Sequence, residues 1–202
     1  GDECFCECEN LTDITISDSV KSVRYRAFLN TGYSLKTSNW ENKVLYIGKD
    51  IIDAEYELFG IYQIREGTIS IGAGAFEYCS NLDYIIIPNS VKNIGDNAFA
   101  SCKSLTYVSI PDGVTTLGRG VFMHCTNLNN ISISNSVLSI GAGAFSSCSS
   151  LLSIVLPNHL TEIPYSAFLG CESLSSITIP KSVLHISSSR RRSRRLPYPL
   201  SF

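Results

Sequence analysis

The sequence predicts a repeat solenoid, a stack of 23-residue coils held together by short parallel strands, and three observations point to it. Cys79, Cys102, Cys125, Cys148 and Cys171 follow one another at 23-residue intervals, and four equal intervals are not a chance spacing. The residues after each cysteine alternate apolar and polar, which is the period of a strand with one buried face. An Ala-Phe pair or its equivalent then returns at a fixed distance from each cysteine. One such unit cannot bury its apolar side alone, but stacked copies bury it against each other.

Written generally, the unit is C-x-x-L-x-x-I-x-I-P-x-S-V-x-x-I-G-x-x-A-F-x-x. The strand residues Leu82, Ile85 and Ile87 are expected to point inward. So are Leu105, Val108 and Ile110, Leu128, Ile131 and Ile133, Leu151, Ile154 and Leu156, and Leu174, Ile177 and Ile179. Pro88, Pro111, Pro157 and Pro180 end the strands, because proline lacks the amide hydrogen needed to continue a ladder. A second apolar pair, Val91 and Ile94 in the first clear coil, fills the middle of the unit, and Gly72, Gly95, Gly118 and Gly141 allow a tight bend. Phe76, Phe99, Phe122, Phe145 and Phe168 then stand above one another as an aromatic column, each ring burying on the order of 150–250 Å². At about 4.7–4.9 Å per coil, about six or seven coils make a rod roughly 30 Å long.

The motif S-V-x-x-I-G-x-x-A-F-x-x-C-x-x-L resembles the BspA-like leucine-rich repeat family, and the likeness runs from about Cys8 to Ile186. The resemblance implies a right-handed leucine-rich-repeat coil. It also implies a bacterial protein, secreted or displayed on the cell surface, that attaches to host or extracellular-matrix proteins.

The frame breaks in two places. An early unit is visible in Leu11, Ile14, Ile16, Val20, Val23, Ala27 and Phe28, with Cys8 in the cysteine place. An insertion at about 30–61 then interrupts the single solenoid expected over 1–186, and the repeat resumes at Ile64, Thr68 and Ile71. Within the insertion, β-branched and aromatic residues flank a turn at Gly48-Lys49-Asp50, which predicts a β-hairpin projecting from the rod. The insertion also holds Trp40, the only tryptophan, with Tyr33, Tyr46, Tyr56, Phe59 and Tyr62. These aromatics either form a satellite core that pins the hairpin or leave Trp40 and tyrosines such as Tyr46 exposed as interface anchors. After Ile186 the repeat calls for Gly, Ala, Phe and Cys, but the chain gives Ser187, Arg190, Arg191 and Arg194. Residues 187–202 are therefore a basic non-repeat tail, expected to be disordered because its arginines repel one another, with a functional basic tail as the other reading.

Charge and composition exclude several function classes. A content of 44% hydrophobic residues is enough for a packed core, so the chain is not disordered as a whole. Without the five tail arginines the chain has 11 basic against 18 acidic residues, a net of −7, which argues against a nucleic-acid interface. No apolar run approaches the roughly 20 residues of a membrane-spanning helix, so no membrane insertion is expected. The opening Gly1-Asp2-Glu3 lacks the basic and apolar regions of a secretory leader, so a leader either lay outside this sequence or never existed.

Site chemistry is thin. Equivalent residues of stacked coils have β-carbons nearly 5 Å apart against the roughly 3.8 Å of a disulfide, so the ladder cysteines read as free, buried thiols with a structural role. A straight row of sulfurs also cannot form the zinc tetrahedron, so no metal or other cofactor is expected. Cys4 and Cys6 belong to a partial coil or frayed end, to a capping disulfide, or to a metal site. His124 adjoins Cys125, but that cysteine faces the core, and no phosphate-binding loop, dinucleotide fingerprint or zinc-protease motif is present, so no catalytic residue is assigned. What remains is surface. Tyr84 and Ile86, Tyr107 and Ser109, Asn130 and Ser132, Ser153 and Val155, and Ser176 and Thr178 are the outward strand positions.

The candidate partner-binding residues are Tyr84, Ile86 and Tyr107, with Trp40 and Tyr46 from the insertion; the alternative for the tyrosines is packing against each other across coils. A protein partner is expected, with a glycan as the lesser choice. A structural spacer with no ligand of its own is the competing reading. The C-terminal coil lacks a polar cap, which leaves end-to-end self-association open.

Overall fold

Why do coils 23 residues apart lie one over another? In the computed structural model, which describes residues 2–187 except 18 and 21, each coil contributes two short strands that pair in parallel with the strands of its neighbours. The first row contains β4 (Phe59–Gln63), β6 (Asn81–Ile86), β8 (Tyr107–Ile110) and β10 (Asn130–Ile133), continued by the pair β12 (Ser153–Val155) and β14 (Ser176–Thr178). The second row contains β1 (Trp40–Glu41), β2 (Val44–Ile47), β3 (Asp50–Ala54), β5 (Ser70–Ile71), β7 (Asn93–Ile94), β9 (Thr116–Leu117) and β11 (Ser139–Ile140), continued by β13 (Glu162–Ile163) and β15 (His185–Ile186). The register is the sequence period itself: Val108 pairs with Ile131, Ile94 with Leu117, and Ile154 with Ile177.

Side chains inside the coil meet their counterparts directly. The rings of Phe76, Phe99, Phe122, Phe145 and Phe168 stack with centroids 5.3, 5.4, 5.8 and 5.5 Å apart, and the first four are fully buried. The cysteine beside this column has a second role besides filling space. Cys102, Cys125, Cys148 and Cys171 each donate through Sγ to the carbonyl of Phe76, Phe99, Phe122 and Phe145 respectively, at 3.1 Å in every case. All eight cysteines are free, Cys4 and Cys6 included, which removes the capping disulfide from among the expectations. Residues 3–7 instead form the bend of a partial coil, with Phe5 stacked on Phe28 at 5.3 Å and the amides of Glu3, Phe5 and Glu7 bonded to the carbonyls of Tyr25, Ala27 and Leu29.

Bend geometry explains two other sequence features. The residue before each ladder cysteine has positive φ, 66° at Tyr78, 61° at Ser101, 62° at His124, 62° at Ser147 and 74° at Gly170. His124 occupies that corner with its side chain exposed while Cys125 is buried, so neighbours in sequence point to opposite sides of the wall. Gly118 permits close approach: a β-carbon there would come within 2.4 Å of the Gly95 backbone one coil back.

The insertion departs from expectation. β2 and β3 do form an antiparallel hairpin, but it does not project, since Val44, Leu45, Tyr46 and Ile47 are all at most 4% exposed. The reason is register: β3 pairs in parallel with β5 through Asp50–Ser70 and Ile51–Ile71, so the hairpin's second strand serves as the second strand of a coil. Leu58 then stands in the cysteine place, because its amide bonds to Glu55 O at 2.9 Å, and the Cys79 thiol donates to that same carbonyl at 3.5 Å. Glu55 holds the phenylalanine place with an exposed side chain, which interrupts the aromatic column, and Tyr62 fills in with its ring 6.0 Å from Phe76. The core is divided as a result. Val23, Ala27, Phe28 and Ile47 form one cluster, and Val44, Tyr46, Ile51 and the core of the later coils as far as Ala167 form the other.

The last described coil also differs. Ile177 and Ile179, expected to be inside, are 36% and 44% exposed, because an inner side chain is covered only when coils lie on both sides of it. The remaining tail residues, with all five arginines, lie outside the described residues. Position in the stack therefore sets the cost of a cavity. Phe122→Ala, at the centre of the column, is expected to lower stability by about 3–5 kcal/mol in urea unfolding, and Phe168→Ala, at its less covered end, by under half as much.

Candidate functional site

The outer side of the first strand row is the surface that the repeat exposes most regularly. Alternation along each strand turns every second side chain outward. At β4 these are Phe59 and Ile61, 72% and 71% exposed, and Gln63; at β6 they are Tyr84 and Ile86, the latter 41% exposed; at β8 they are Tyr107 and Ser109. Ile61 pairs with Tyr84, and Tyr84 with Tyr107, so one continuous apolar strip crosses three strands. The two tyrosine rings stack at 5.8 Å with planes 14° apart, leaving both half-buried. Mutual packing of the tyrosines and a contact role for their outer faces are thus compatible. Beyond β8 the same positions carry Asn130, Ser132, Ser153, Ser176 and Thr178, all exposed, with Val155 as an apolar exception at 65%.

Phe59 and Ile61 escaped the sequence reading as members of this strip because the insertion concealed β4. The signal was present, since Ile61, Tyr84 and Tyr107 are 23 residues apart, as are Tyr62 and Ile85. Tyr46 requires a correction in the other direction. It is only 4% exposed, its hydroxyl lies 3.1 Å from that of Tyr62, and the Arg65 guanidinium sits 4.1 Å from its ring centroid. Tyr46 is therefore a core residue of the hairpin and not a surface anchor. Trp40 is half-buried, and its indole N–H donates to Ser34 O at 2.8 Å, while Tyr33 donates to Tyr46 O at 3.0 Å. Trp40 and Tyr33 thus tie the insertion to itself, Tyr46 joins it to the following coil through Tyr62 and Arg65, and Tyr56 and Phe59 face outward.

A second polar feature lies at the seam between the two core clusters. The Asp53 carboxylate accepts the Ala54 amide at 2.9 Å and borders a cavity of about 40 Å³ that Tyr25, Arg26, Tyr56 and Glu77 also line. Burial pushes the Asp53 carboxyl up to about 6, and burial raises the Glu77 carboxyl as well. Among the described residues no three His, Cys, Asp or Glu side chains converge as a metal site would require.

Comparison with known proteins agrees with the repeat. The family described as the BspA type leucine rich repeat region matches in six copies over residues 1–59 and 69–190. The chain belongs to that family. No curated protein matches this BspA-type chain significantly. Among solved structures, the leucine-rich repeat protein of T. pallidum is similar with a TM-score of 0.63 and 24% identity, over 76% of this chain and 82% of that one. A leucine-rich repeat protein of Eubacterium ventriosum gives a TM-score of 0.68 and 26% identity over 80% of this chain, and the chain spans 51% of its length. The pneumococcal vaccine antigen PcpA gives 0.63 and 20% over 74% of this chain and 42% of its own. Of these, the first and third show the fold alone. No helix among the described residues is long and apolar enough to cross a membrane.

For this BspA-type repeat, the half-buried Asp53 gives a pH signature. Its carboxyl, pushed by desolvation from the ordinary 3.8 up to about 6, holds the proton more tightly in the native state, so stability falls as pH rises through that window. Asp53→Asn keeps an oxygen for the Ala54 amide and removes the ionisation. Its melting temperature is expected to exceed the wild type's above pH 6, by an amount equivalent to on the order of 1–3 kcal/mol, and to lose the decline between about pH 4 and 6.

Proposed function

We propose that this BspA-type repeat protein is a recognition module, secreted or held on the cell surface, that attaches to a host or extracellular-matrix protein through the outward strip on β4, β6 and β8. The observation that carries this reading is the strip itself. Phe59, Ile61, Tyr84, Ile86 and Tyr107 adjoin across three strands, while the equivalent positions of later coils are mainly Ser, Asn and Thr. A contiguous apolar patch marks a contact site, and aromatic residues supply much of the energy at such contacts. The rigid stack supports the role, because side chains fixed on paired strands lose little freedom on binding. The family resemblance supports the location, and the pneumococcal antigen with a similar fold is compatible with it.

The hairpin contributes indirectly: β3 continues the second strand row, and the hairpin's core residue Tyr46, through its hydroxyl contact with Tyr62 of β4, braces the coil that carries Phe59 and Ile61. Ile61→Asp, alone and combined with Tyr84→Ser and Tyr107→Ser, is expected to weaken attachment to a panel of purified matrix proteins by about tenfold or more, one hot-spot residue contributing about 2 kcal/mol. The circular dichroism melt should change little for Ile61→Asp, whose side chain is already in solvent. Undiminished attachment by the triple variant would shift the reading to a structural spacer.

A further inference from the structure

β4 is the end strand of its row. It pairs with β6 and with no other strand. Parallel pairing uses the main chain of alternate residues, and Ile64 N–H bonds to Ile86 O at 3.0 Å, which directs the groups of Tyr62 and Ile64 toward β6. The amides and carbonyls of Ile61 and Gln63 therefore face the opposite edge. Among the described residues no backbone or side-chain group hydrogen-bonds to them there.

Proteins ordinarily blunt such an edge with charge, proline or a covering segment, since an open edge accepts another chain. This edge carries none of the first two. Its outward side chains are Phe59, Ile61 and Gln63, two of them large and apolar, and the register shift between Gly60, with φ of 72°, and Ile61 turns the strand. The flanking charges are asymmetric. Arg65 is already engaged by Glu41 and by Gly48 O, and Lys43 by the Glu55 carboxylate and the Glu57 backbone carbonyl, whereas the exposed carboxylate of Glu57, two residues before β4, has no cationic side chain paired with it among the described residues.

We propose that the partner of this face is an extended peptide segment that adds to β4 as a further strand, with apolar side chains at alternate positions and a basic residue beside Glu57. The proposal rests on the recognition reading of the same strip and specifies its mode. Main-chain hydrogen bonds to Ile61 and Gln63 supply binding, and Phe59 and Ile61 select the side chains that lie against them.

The probe is a synthetic peptide of about ten residues, alternating valine and threonine with lysine at one end, long enough to cover a strand of this length. Its counterpart carries N-methyl groups on alternate amides, which keeps the side chains and abolishes pairing. With the full chain, the first peptide is expected to bind and to slow hydrogen exchange at the Ile61 and Gln63 amides in NMR spectra. The methylated peptide should bind at least about tenfold more weakly, equivalent to about 1.4 kcal/mol. Gln63→Pro removes one open-edge amide without touching a bond to β6 and should weaken binding similarly, while Gln63→Ala should leave it within about threefold.

No binding at millimolar peptide, or equal binding of the methylated form, overturns the proposal. Should Gln63→Pro bind the peptide normally while the Ile61 and tyrosine variants lose matrix attachment, strand addition falls and the recognition face survives. A dimer of the chain that Gln63→Pro dissolves, with no peptide bound by the wild type, would make a second copy the occupant and likewise overturn it.

Discussion

Everything in this fold depends on one coil lying directly over the next at a single register. The constraint is steric before it is hydrophobic: at Gly118 and Gly141 a β-carbon would sit within 2.4 Å of the backbone one coil back, so the chains pass as closely as glycine permits. That approach brings phenylalanine over phenylalanine and sets each thiol against the carbonyl of the preceding coil's phenylalanine. Stability in such a stack is a sum of neighbour terms with no single centre, which is why an inner ring and an end ring differ in what they contribute.

The insertion shows how a repeat absorbs foreign sequence. The chain leaves the frame after Thr31, which is fully buried and stands 23 residues beyond Cys8, and returns to it at Leu58 in the cysteine place. In between, one strand of the hairpin does the work of a coil strand and the other lies beneath it. The interruption has two costs, a gap in the aromatic column at Glu55 and a half-buried, partly desolvated carboxyl at Asp53. It also leaves β4 as the end of its row, which is what exposes Phe59 and Ile61.

The period was readable wherever cysteine and phenylalanine both held their places, so strands, bends and the inward ladder from Leu82 to Leu156 follow from spacing alone. The coil between Thr31 and Leu58 was not readable, because threonine, leucine and glutamate occupy the marker positions and its length is not 23. Tyr46 was misjudged for a related reason: aromatic content in an insertion does not say which face of a strand is covered, and β2 is covered on both. Phe59 and Ile61 could have been recovered by carrying the frame back from Tyr84, which places Ile61 on the outer face. Hydrogen bonding by the thiols was not legible, since spacing excludes a disulfide but does not reveal an acceptor.

The buried thiol column has a chemical consequence. Attack on a disulfide or an oxidant requires thiolate, and desolvation holds Cys102, Cys125 and Cys148 far above their ordinary range, so these sulfurs stay protonated and inert. The packing that these three sulfurs support is therefore out of reach of thiol exchange. Among the described residues, the thiols that solvent reaches lie toward the two ends of the stack: Cys4 and Cys8 are exposed, and Cys6 and Cys171 are half-buried.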